Sequence, residues 1–227
     1  RLGIDRAAQD EWSARSHERA AEATKNGLLA AEITPVMVQQ RKDHVTVDQD
    51  EGIRPGTTAE SLGRLRPAFS PDGTITAGNA SQLSDGAAAV VVTSRERAAA
   101  EGLAVLASVV AYGTVAGPDT SLHSQPSRAI VDACRRAGVA IDDLDLVEIN
   151  EAFAAVALCS TRELGLDEGI VNVNGGAVAL GHPIGASGAR VVLTLAMALR
   201  RRGGGLGAAA LCGGGGQGDA LLVRVEG

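Results

Sequence analysis

From residue 103 to the C-terminus, short apolar segments alternate with longer amphipathic ones, and this alternation limits the possible folds more than any other feature. The apolar segments are rich in Val, Leu, Ile and Ala, as is typical of strands that helices cover on both faces. They lie at 104–111, 144–149, 170–173, 206–211 and 220–225, with helices predicted at 128–137, 151–164 and 187–202. The pattern predicts an α/β fold, an α/β/α layered domain with a mixed five-stranded sheet.

The first hundred residues are less regular, and we expect most of them to form a loop-rich cap before this domain. A polar helix is predicted from Asp5, a suitable N-cap, to the stop signal Asn26-Gly27. A charged stretch with many turn residues follows, and then an apolar strand at 88–92 and a short helix at 95–101. We predict three units: a cap domain (1–76), a segment that completes the sheet of a neighbouring domain (77–102), and the α/β/α domain (103–227).

Composition and charge exclude several classes of partner. The chain has a net charge of −6, a pI near 5.2 and no basic run longer than Arg200-Arg201-Arg202, so it does not suit nucleic acid or an anionic membrane. Its most apolar stretch, 103–117, is shorter than the roughly 18 residues of a membrane span. Its three cysteines form no C-x-x-C pair and have no zinc spacing with the histidines. We therefore expect a cytoplasmic protein with reduced thiols and no metal.

Cys212 differs from the other two cysteines because it ends a predicted strand and precedes four glycines. Glycine lets the backbone approach a ligand closely and leaves its N–H groups accessible, as a thioester carbonyl or an oxyanion requires. We expect Cys212 to be a functional thiol, with neighbouring N–H groups that favour its thiolate. Cys134 and Cys159 lie inside predicted helices, where a cysteine is usually a small core residue.

Two polar residues in other strand-end loops are candidates for the same site. His182 stands between a glycine and a proline just before a helix, where a histidine has no evident packing role, although a merely exposed histidine is the alternative. Asn150 follows the strand at 144–149 and suits either a catalytic role or a simple helix N-cap. Ligand sites of open α/β sheets form in the loops at strand ends, so Asn150, His182 and Cys212 can converge.

A dinucleotide-binding loop is the main alternative for the glycine-rich motif, because Gly213-x-Gly215-x-x-Gly218 matches the spacing G-x-G-x-x-G. That fingerprint needs a following helix to receive the pyrophosphate and an acidic residue about 20 positions further on. Here a strand follows instead. The stretch 181–188 also lacks the lysine of a P-loop, so we reject a nucleotide-binding function.

Three motifs resemble the C-terminal signature motifs of thiolases. They are NEAFA at 150–154, NVNGGAVALGHPIGASGAR at 172–190 and CGGGGQGDA at 212–220. The resemblance extends to GNASQLSDGAAAVVV at 78–92 and QDEWSARSHERA at 9–20, so the whole chain is similar to the later three-fifths of a thiolase. Within the family, the acetyl-CoA acetyltransferases of bacteria are the most similar.

The resemblance implies a Claisen condensation of two acetyl-CoA molecules to acetoacetyl-CoA, and the reverse thiolysis of 3-ketoacyl-CoA. In this family His182 would activate a nucleophilic cysteine and Cys212 would be the acid/base that removes the acetyl α-proton. Asn150 would hold a water that forms, with His182, the oxyanion hole for the enolate. The Gly214 N–H would stabilise the acyl tetrahedral oxygen. Coenzyme A thioesters are then substrates, and no further cofactor is implied.

The resemblance also assigns coenzyme A contacts by motif position. Arg54 would contact the nucleotide end, whereas the other four would line the pantetheine tunnel: Ser61, Ser81, Leu122 and Phe153. The family pattern Met-Gly-x-Gly-Pro-x-Pro-Ala is replaced by LHSQPSRA at 122–129, so the tunnel wall departs from the family there.

The nucleophilic cysteine of the family lies in an N-terminal domain that we expect to be absent from this chain. Neither Cys134 nor Cys159 is followed by the Ser-Gly that accompanies the nucleophile. We therefore expect a fragment that begins inside the cap domain and is inactive alone. The family suggests a homo-oligomer, dimer or tetramer, that requires the N-terminal domain.

Two other functions remain open from the sequence. The first is a non-catalytic module for coenzyme A binding or assembly, although an intact set of Asn150, His182 and Cys212 argues against it. The second is a ketoacyl synthase, which would place a histidine or an asparagine where Cys212 stands.

Overall fold

Strands and helices alternate through the second half of the chain in the computed structural model, which describes residues 3–41 and 43–227. Within those residues the helices are α1 (Arg6–Lys25), α2 (Ala59–Gly63), α3 (Arg95–Ala100), α4 (Gln125–Ala137), α5 (Ala154–Leu164), α6 (Ala177–Leu180) and α7 (Ile184–Arg201). The strands are β1 (Val36–Gln40), β2 (Asp43–Val47), β3 (Ser108–Ala116), β4 (Leu146–Ile149), β5 (Gly205–Gly213) and β6 (Gln217–Val225).

A mixed sheet with the strand order β3-β6-β5-β4 organises the C-terminal part. Strands β3 and β5 are antiparallel to β6, whereas β4 is parallel to β5. Helix α4 packs on one face and helix α7 on the other. A hydrophobic core lies on each face of the sheet, and successive side chains of β5 point to opposite faces. Ala208 and Ala210 belong to the core that contains Ile130 of α4, and Ala209 belongs to the core that contains Leu195 of α7. The α/β fold class is thus confirmed.

The fifth strand, expected at 170–173, is reduced to one bridge between Val171 and Val147. Asn172 interrupts the extended backbone because its φ is +48°, a conformation that an extended strand excludes. Its side chain takes the place of the missing strand: Oδ1 accepts a hydrogen bond from the Ile149 N–H, and Nδ2 donates to the Ile149 carbonyl, both at 2.8 Å. Within the described residues the sheet therefore has four strands.

Helix α1 begins as expected, because the Asp5 carboxylate accepts a hydrogen bond from the Ala8 N–H at 2.8 Å. It ends with Asn26 as its C-cap, and Trp12 on its buried side is only 3% exposed. The antiparallel hairpin β1–β2 was not expected from the sequence. All ten of its residues are exposed, so no alternation between a core face and a solvent face marks it as a strand pair.

The strand expected at 88–92 does not form, although helix α3 follows it as predicted. Residues 81–94 have no regular secondary structure, and Val91 is 91% exposed. A strand needs a neighbour for its backbone groups, and no described segment pairs with this one. Strand β3 also starts four residues later than expected and extends to Ala116.

The described residues offer neither a membrane-spanning helix nor a cluster of metal-binding side chains. Across residues 3–41 and 43–227, no helix combines the length and apolarity that crossing a membrane requires. Over the same residues, His, Cys, Asp and Glu side chains form no group of three or more that is suited to a metal ion.

Candidate active site

The parallel pairing of β4 and β5 places Asn150 and Cys212 at the same end of the sheet. Ile149 pairs with Ala210, and the Asn150 N–H donates to the Ala210 carbonyl at 2.9 Å. Cys212 lies two residues further along β5 and pairs with Gly218 of β6. Both side chains belong to buried residues, so the end of the sheet combines an amide and a thiol that are shielded from water.

His182 reaches this site from the loop between α6 and α7. Gly181 ends α6 with a φ of +95°, and a side chain there would collide with the Ser84 hydroxyl. This turn brings the His182 Nε2 atom to 3.2 Å from Asn150 Nδ2. The other ring nitrogen, Nδ1, lies 2.6 Å from the Ser187 hydroxyl in the first turn of α7. The imidazole is thus fixed on both sides.

The electrostatic environment favours the neutral forms of His182 and Cys212. Burial lowers the pKa of His182, and the positive charge of Arg190 lowers it further, so the ring is held as a neutral base. Burial raises the pKa of Cys212, whereas a backbone hydrogen bond has the weaker, opposite effect. A backbone N–H does favour the thiolate, but it is that of Cys212 and not of a glycine, and the loss of solvation is the larger effect, so the net pKa is raised and not lowered as expected.

A buried acid and an arginine stand behind Asn150, and sequence reasoning missed both. Glu148 on β4 is 2% exposed, and burial raises its pKa to about 8. Arg190 Nη1 lies 3.7 Å from Glu148 Oε2, and Arg190 Nη2 donates to Asn150 Oδ1 at 3.4 Å. Glu148 could have been noticed in the sequence as a single glutamate inside an apolar strand, because a buried glutamate usually requires a partner.

A second buried acid, Glu151, connects helix α1 to Asn172 and to the first turn of α6. It accepts hydrogen bonds from Trp12 Nε1 at 2.8 Å, Ser16 Oγ at 2.7 Å, Asn172 Nδ2 at 2.9 Å and the Val178 N–H at 3.0 Å. Four donors satisfy this carboxylate, as a buried charge requires. The acid next to Asn150 thus ties the N-terminal helix to the segment that leads to His182.

Ser81 and Phe153, two of the expected coenzyme A contacts, lie beside one another. The Ser81 N–H donates to the Ala152 carbonyl at 3.1 Å, and Ala80 forms a bridge with Phe153. The ring of Phe153 meets that of Phe69 edge to face, with 6.2 Å between centroids. The chain thus places these two residues next to the loop that carries Asn150.

The other expected contacts lie on separate segments. Arg54 is exposed, and its N–H donates to His17 Nδ1 at 3.2 Å. The Ser61 hydroxyl donates to the Thr58 carbonyl at 2.8 Å as part of the cap of α2. Leu122 is half-buried just before α4. No hydrogen bond in the described part of the chain joins these residues to Asn150 or His182.

Gly214 lies in the turn between β5 and β6, where it is exposed and faces open space. Its position two residues after Cys212 leaves its backbone at the same end of the sheet as the thiol.

Two family models match the sequence of the chain. A sequence model described as "Thiolase, C-terminal domain" matches residues 103–225, and one described as "Thiolase, N-terminal domain" matches residues 1–96. The chain belongs to the thiolase family. The resemblance of the three sequence motifs is thus confirmed at the level of the family.

The second of these matches corrects one expectation. The N-terminal thiolase domain was expected to be absent, but residues 1–96 of this thiolase match its model. The sequence suggested that this region is a cap followed by a separate segment. The match to the N-terminal domain model instead covers helix α1, the hairpin and the segment before α3 together.

Curated relatives of this thiolase are acetyl-CoA acetyltransferases. The chain is 60% identical over 220 residues to the probable acetyl-CoA acetyltransferase of Mycolicibacterium smegmatis, covering 96% of this chain and 57% of the relative. It is 52% identical over 225 residues to the acetyl-CoA acetyltransferase of Thiocystis violacea, covering 99% and 57%. The chain thus spans just over half the length of these relatives.

Solved structures of the family share the fold. The acetyl-CoA acetyltransferase of Bacillus anthracis has a TM-score of 0.93 and 43% identity, covering 97% of this chain and 56% of that one. The human mitochondrial 3-ketoacyl-CoA thiolase has a TM-score of 0.90 and 40% identity, with the same two coverages.

Proposed function

We propose that the chain supplies the acid/base part of an acetyl-CoA acetyltransferase site, for the condensation of two acetyl-CoA molecules and the thiolysis of 3-ketoacyl-CoA. The observation that carries this proposal is the hydrogen-bonded pair of Asn150 and His182, at the end of the sheet where Cys212 is the penultimate residue of β5. A neutral base, an amide and a protonated thiol are the groups that this chemistry needs.

In the first half-reaction, His182 takes the proton of an acyl-accepting cysteine. The thiolate attacks the acetyl-CoA carbonyl, and the leaving coenzyme A thiolate receives a proton from the imidazolium. The lowered pKa of His182 supports this role, because a neutral ring has a lone pair ready to accept a proton. The exposed Gly214 N–H would stabilise the tetrahedral oxygen.

In the second half-reaction, the Cys212 thiol first loses its proton to solvent, and the resulting thiolate removes an α-proton from acetyl-CoA and becomes a thiol again. The resulting enolate attacks the acyl thioester, and acetoacetyl-CoA forms as the acyl-carrying thiolate leaves. The raised pKa of Cys212 supports this step, because a thiol with a higher pKa has a more basic thiolate. Asn150, through a water, and His182 would stabilise the enolate oxygen.

The acyl-accepting cysteine is not Cys134 or Cys159. Both are buried in helices, α4 and α5, and burial raises the pKa of Cys159 to about 11, so neither suits a nucleophile. We therefore propose that the 227 residues alone do not turn over coenzyme A thioesters, and that the nucleophile comes from a polypeptide segment outside them.

The remaining parts of the proposal concern substrate binding and assembly. Coenzyme A would contact Arg54 at its nucleotide end and run past Ser61, Ser81, Leu122 and Phe153. The adjacent placement of Ser81 and Phe153 beside the Asn150 loop supports this path. A homo-oligomer in the cytoplasm, with no cofactor beyond the substrate thioesters, completes the proposal.

The test is a thiolysis assay on the natively purified protein, together with intact-mass analysis of every polypeptide in the preparation. We expect acetoacetyl-CoA cleavage in preparations that carry a further cysteine-bearing segment, and none from the 227 residues alone. Cys212→Ser should abolish cleavage, whereas Cys134→Ser, a matched change in the α4 core, should retain it. Coenzyme A binding without cleavage in every preparation would contradict the proposal and favour a binding module.

A further inference from the structure

Arg190, Asn150, His182 and Ser187 form a continuous line of hydrogen bonds. Arg190 and Ser187 are three residues apart on α7 and therefore lie on the same face of the helix. Arg190 Nη2 lies 3.4 Å from Asn150 Oδ1, Asn150 Nδ2 lies 3.2 Å from His182 Nε2, and His182 Nδ1 lies 2.6 Å from Ser187 Oγ. The Ser187 hydroxyl donates in turn to the Pro183 carbonyl at 3.0 Å.

The direction of this line is set at Arg190. A guanidinium group has donors and no acceptor, so the Asn150 atom that faces it must be the carbonyl oxygen. The other end of the same carboxamide is then the amide nitrogen, which faces the His182 ring. Arg190 thereby selects one of the two orientations of the Asn150 side chain.

The orientation of Asn150 determines where the His182 ring carries its proton. An amide N–H only donates, so His182 Nε2 must accept and have a free lone pair. The single proton of the neutral ring is then on Nδ1, which donates to Ser187 Oγ. With the amide reversed, the Asn150 oxygen would instead stabilise a proton on Nε2.

Arg190 also lies against a buried acid of strand β4. Glu148 precedes Asn150 by two residues, and Arg190 Nη1 lies 3.7 Å from its Oε2 atom. These two atoms are buried and lack a direct hydrogen-bond partner among the described residues. The positive charge of Arg190 opposes the effect of burial on the pKa of Glu148. Asp50 is a second carboxyl close enough to Arg190 to be influenced by its charge.

We propose that Arg190 is a positioning residue that fixes the carboxamide of Asn150 and, through it, the Nδ1–H tautomer of His182. The role of this tautomer in catalysis rests on the proposed function, because it leaves Nε2 unprotonated and therefore able to act as the base. The tautomer itself does not depend on any activity and is observable in the resting protein.

Nitrogen-15 NMR of the histidine rings tests the proposal directly. Long-range proton–nitrogen correlations distinguish a protonated from an unprotonated ring nitrogen, and the His182 signals are assigned from their loss in His182→Gln. We expect wild-type His182 to be mainly the Nδ1–H tautomer at a pH above its pKa. Arg190→Met, which removes the donors but keeps much of the side-chain length, should shift the population mainly to Nε2–H, whereas Arg190→Lys should retain the wild-type tautomer.

Two further variants keep the test decisive if Arg190→Met does not fold. Asn150→Asp replaces the amide donor by an acceptor of the same shape and should move the proton to Nε2. Arg200→Met removes an exposed arginine near the end of the same helix and should leave the tautomer unchanged. A wild-type ring that is mainly Nε2–H, or a tautomer that is indifferent to both Arg190→Met and Asn150→Asp, would overturn the proposal.

Steady-state thiolysis kinetics separate this role from the proposed function. In the active protein, Arg190→Met should lower kcat at least tenfold with a smaller change in KM, and Arg190→Lys should recover part of the loss. The expected tautomer in a preparation that carries a further cysteine-bearing segment and yet lacks thiolase activity would sink the proposed function and leave the positioning role standing. Thiolase activity with the opposite tautomer would do the reverse.

Discussion

Trp12 Nε1 donates a hydrogen bond to Glu151 Oε1 at 2.8 Å, and this contact joins two residues that are 139 positions apart in the sequence. Both side chains are buried, at 3% and 1% exposure. Glu151 directly follows Asn150, so the contact couples the packing of helix α1 to the position of the proposed catalytic amide. The N-terminal helix is in this sense a support for the site.

Removing this contact should destabilise the fold. Glu151→Gln replaces one accepting oxygen by an NH2 group, which then faces donors that it cannot accept from. We expect the free energy of unfolding to fall by about 2–4 kcal/mol. Trp12→Phe should cost less, because one donor is lost and the ring volume is mostly kept. Urea unfolding measures both, with exposed Glu22→Gln on α1 as the control. A Glu151→Gln variant as stable as this control would contradict the role of the carboxylate.

Glu148 should make stability depend on pH. Burial raises its pKa to about 8, Arg190 and Arg19 oppose the rise, and Glu151 and Glu32 add to it. The folded protein therefore retains a proton that the unfolded chain loses near pH ~4.3, and the free energy of unfolding falls as the pH rises between these two values. The slope contributed by this one group is at most about 1.4 kcal/mol per pH unit.

The variant Glu148→Gln mimics the protonated acid and should remove this contribution. We expect the wild-type free energy of unfolding to decrease relative to that of the variant from about pH 5 to pH 8. Urea unfolding at intervals across this range provides the comparison. Parallel curves for the two proteins would show that Glu148 is not the group responsible.

The proposed base Cys212 should titrate above an ordinary thiol, because burial raises its pKa. In a Cys134→Ser/Cys159→Ser background, the rate of alkylation should increase with pH through an inflection above ~8.5, the value of a free cysteine. The position of the inflection, and not the absolute rate, is the measurement, because burial also slows access. An inflection below that of the free amino acid would contradict the assignment.

Cys212→Ser should separate the two half-reactions of the active protein. Acyl transfer to the nucleophilic cysteine should persist, because His182 remains. Exchange of the acetyl-CoA methyl protons with deuterated water should fall by at least about a hundredfold, because a serine hydroxyl keeps its proton near neutral pH and supplies no base. Mass spectrometry follows the acyl-enzyme and NMR follows the exchange. Exchange at the wild-type rate would show that another group removes the α-proton.

Arg54→Ala should weaken coenzyme A substrates through KM and leave kcat nearly unchanged. The Arg54 side chain is exposed, and its backbone N–H makes the contact with His17, so the substitution leaves the local fold intact. Binding remote from the reacting carbon contributes equally to the ground state and the transition state. Arg64→Ala, another exposed arginine in the same region, is the control. A lower kcat with an unchanged KM would place Arg54 elsewhere in the mechanism.

The sequence predicts well those features whose cause is local. Asp5 marks the start of α1 because a side-chain cap acts within four residues, and the apolar runs of β4, β5 and β6 are visible because helices cover both faces. Asn150, His182 and Cys212 are candidates from the sequence for local reasons as well: Asn150 follows a strand, His182 stands between glycine and proline, and Cys212 precedes four glycines. The hairpin β1–β2 and the missing strand at 88–92 depend on pairing and burial that no local pattern records.

The groups behind the site could not be predicted for a related reason. Arg190 and Glu148 are 42 positions apart, and only the packing of α7 against β4 brings them together. From the sequence, an arginine on a helix is usually a solvated residue. The direction of the Cys212 pKa was also missed, since burial is a property of the whole fold.

Asn172 has a consequence for how the molecule behaves among its own copies. Strand β4 is the outermost strand of the described sheet, and an outermost strand with free N–H and C=O groups is a template on which other chains add and aggregate. The Asn172 carboxamide occupies both backbone groups of Ile149, and its N–H occupies the Val147 carbonyl. Asn172 thus prevents a fifth strand from forming and also blocks the edge of β4 against pairing with another molecule.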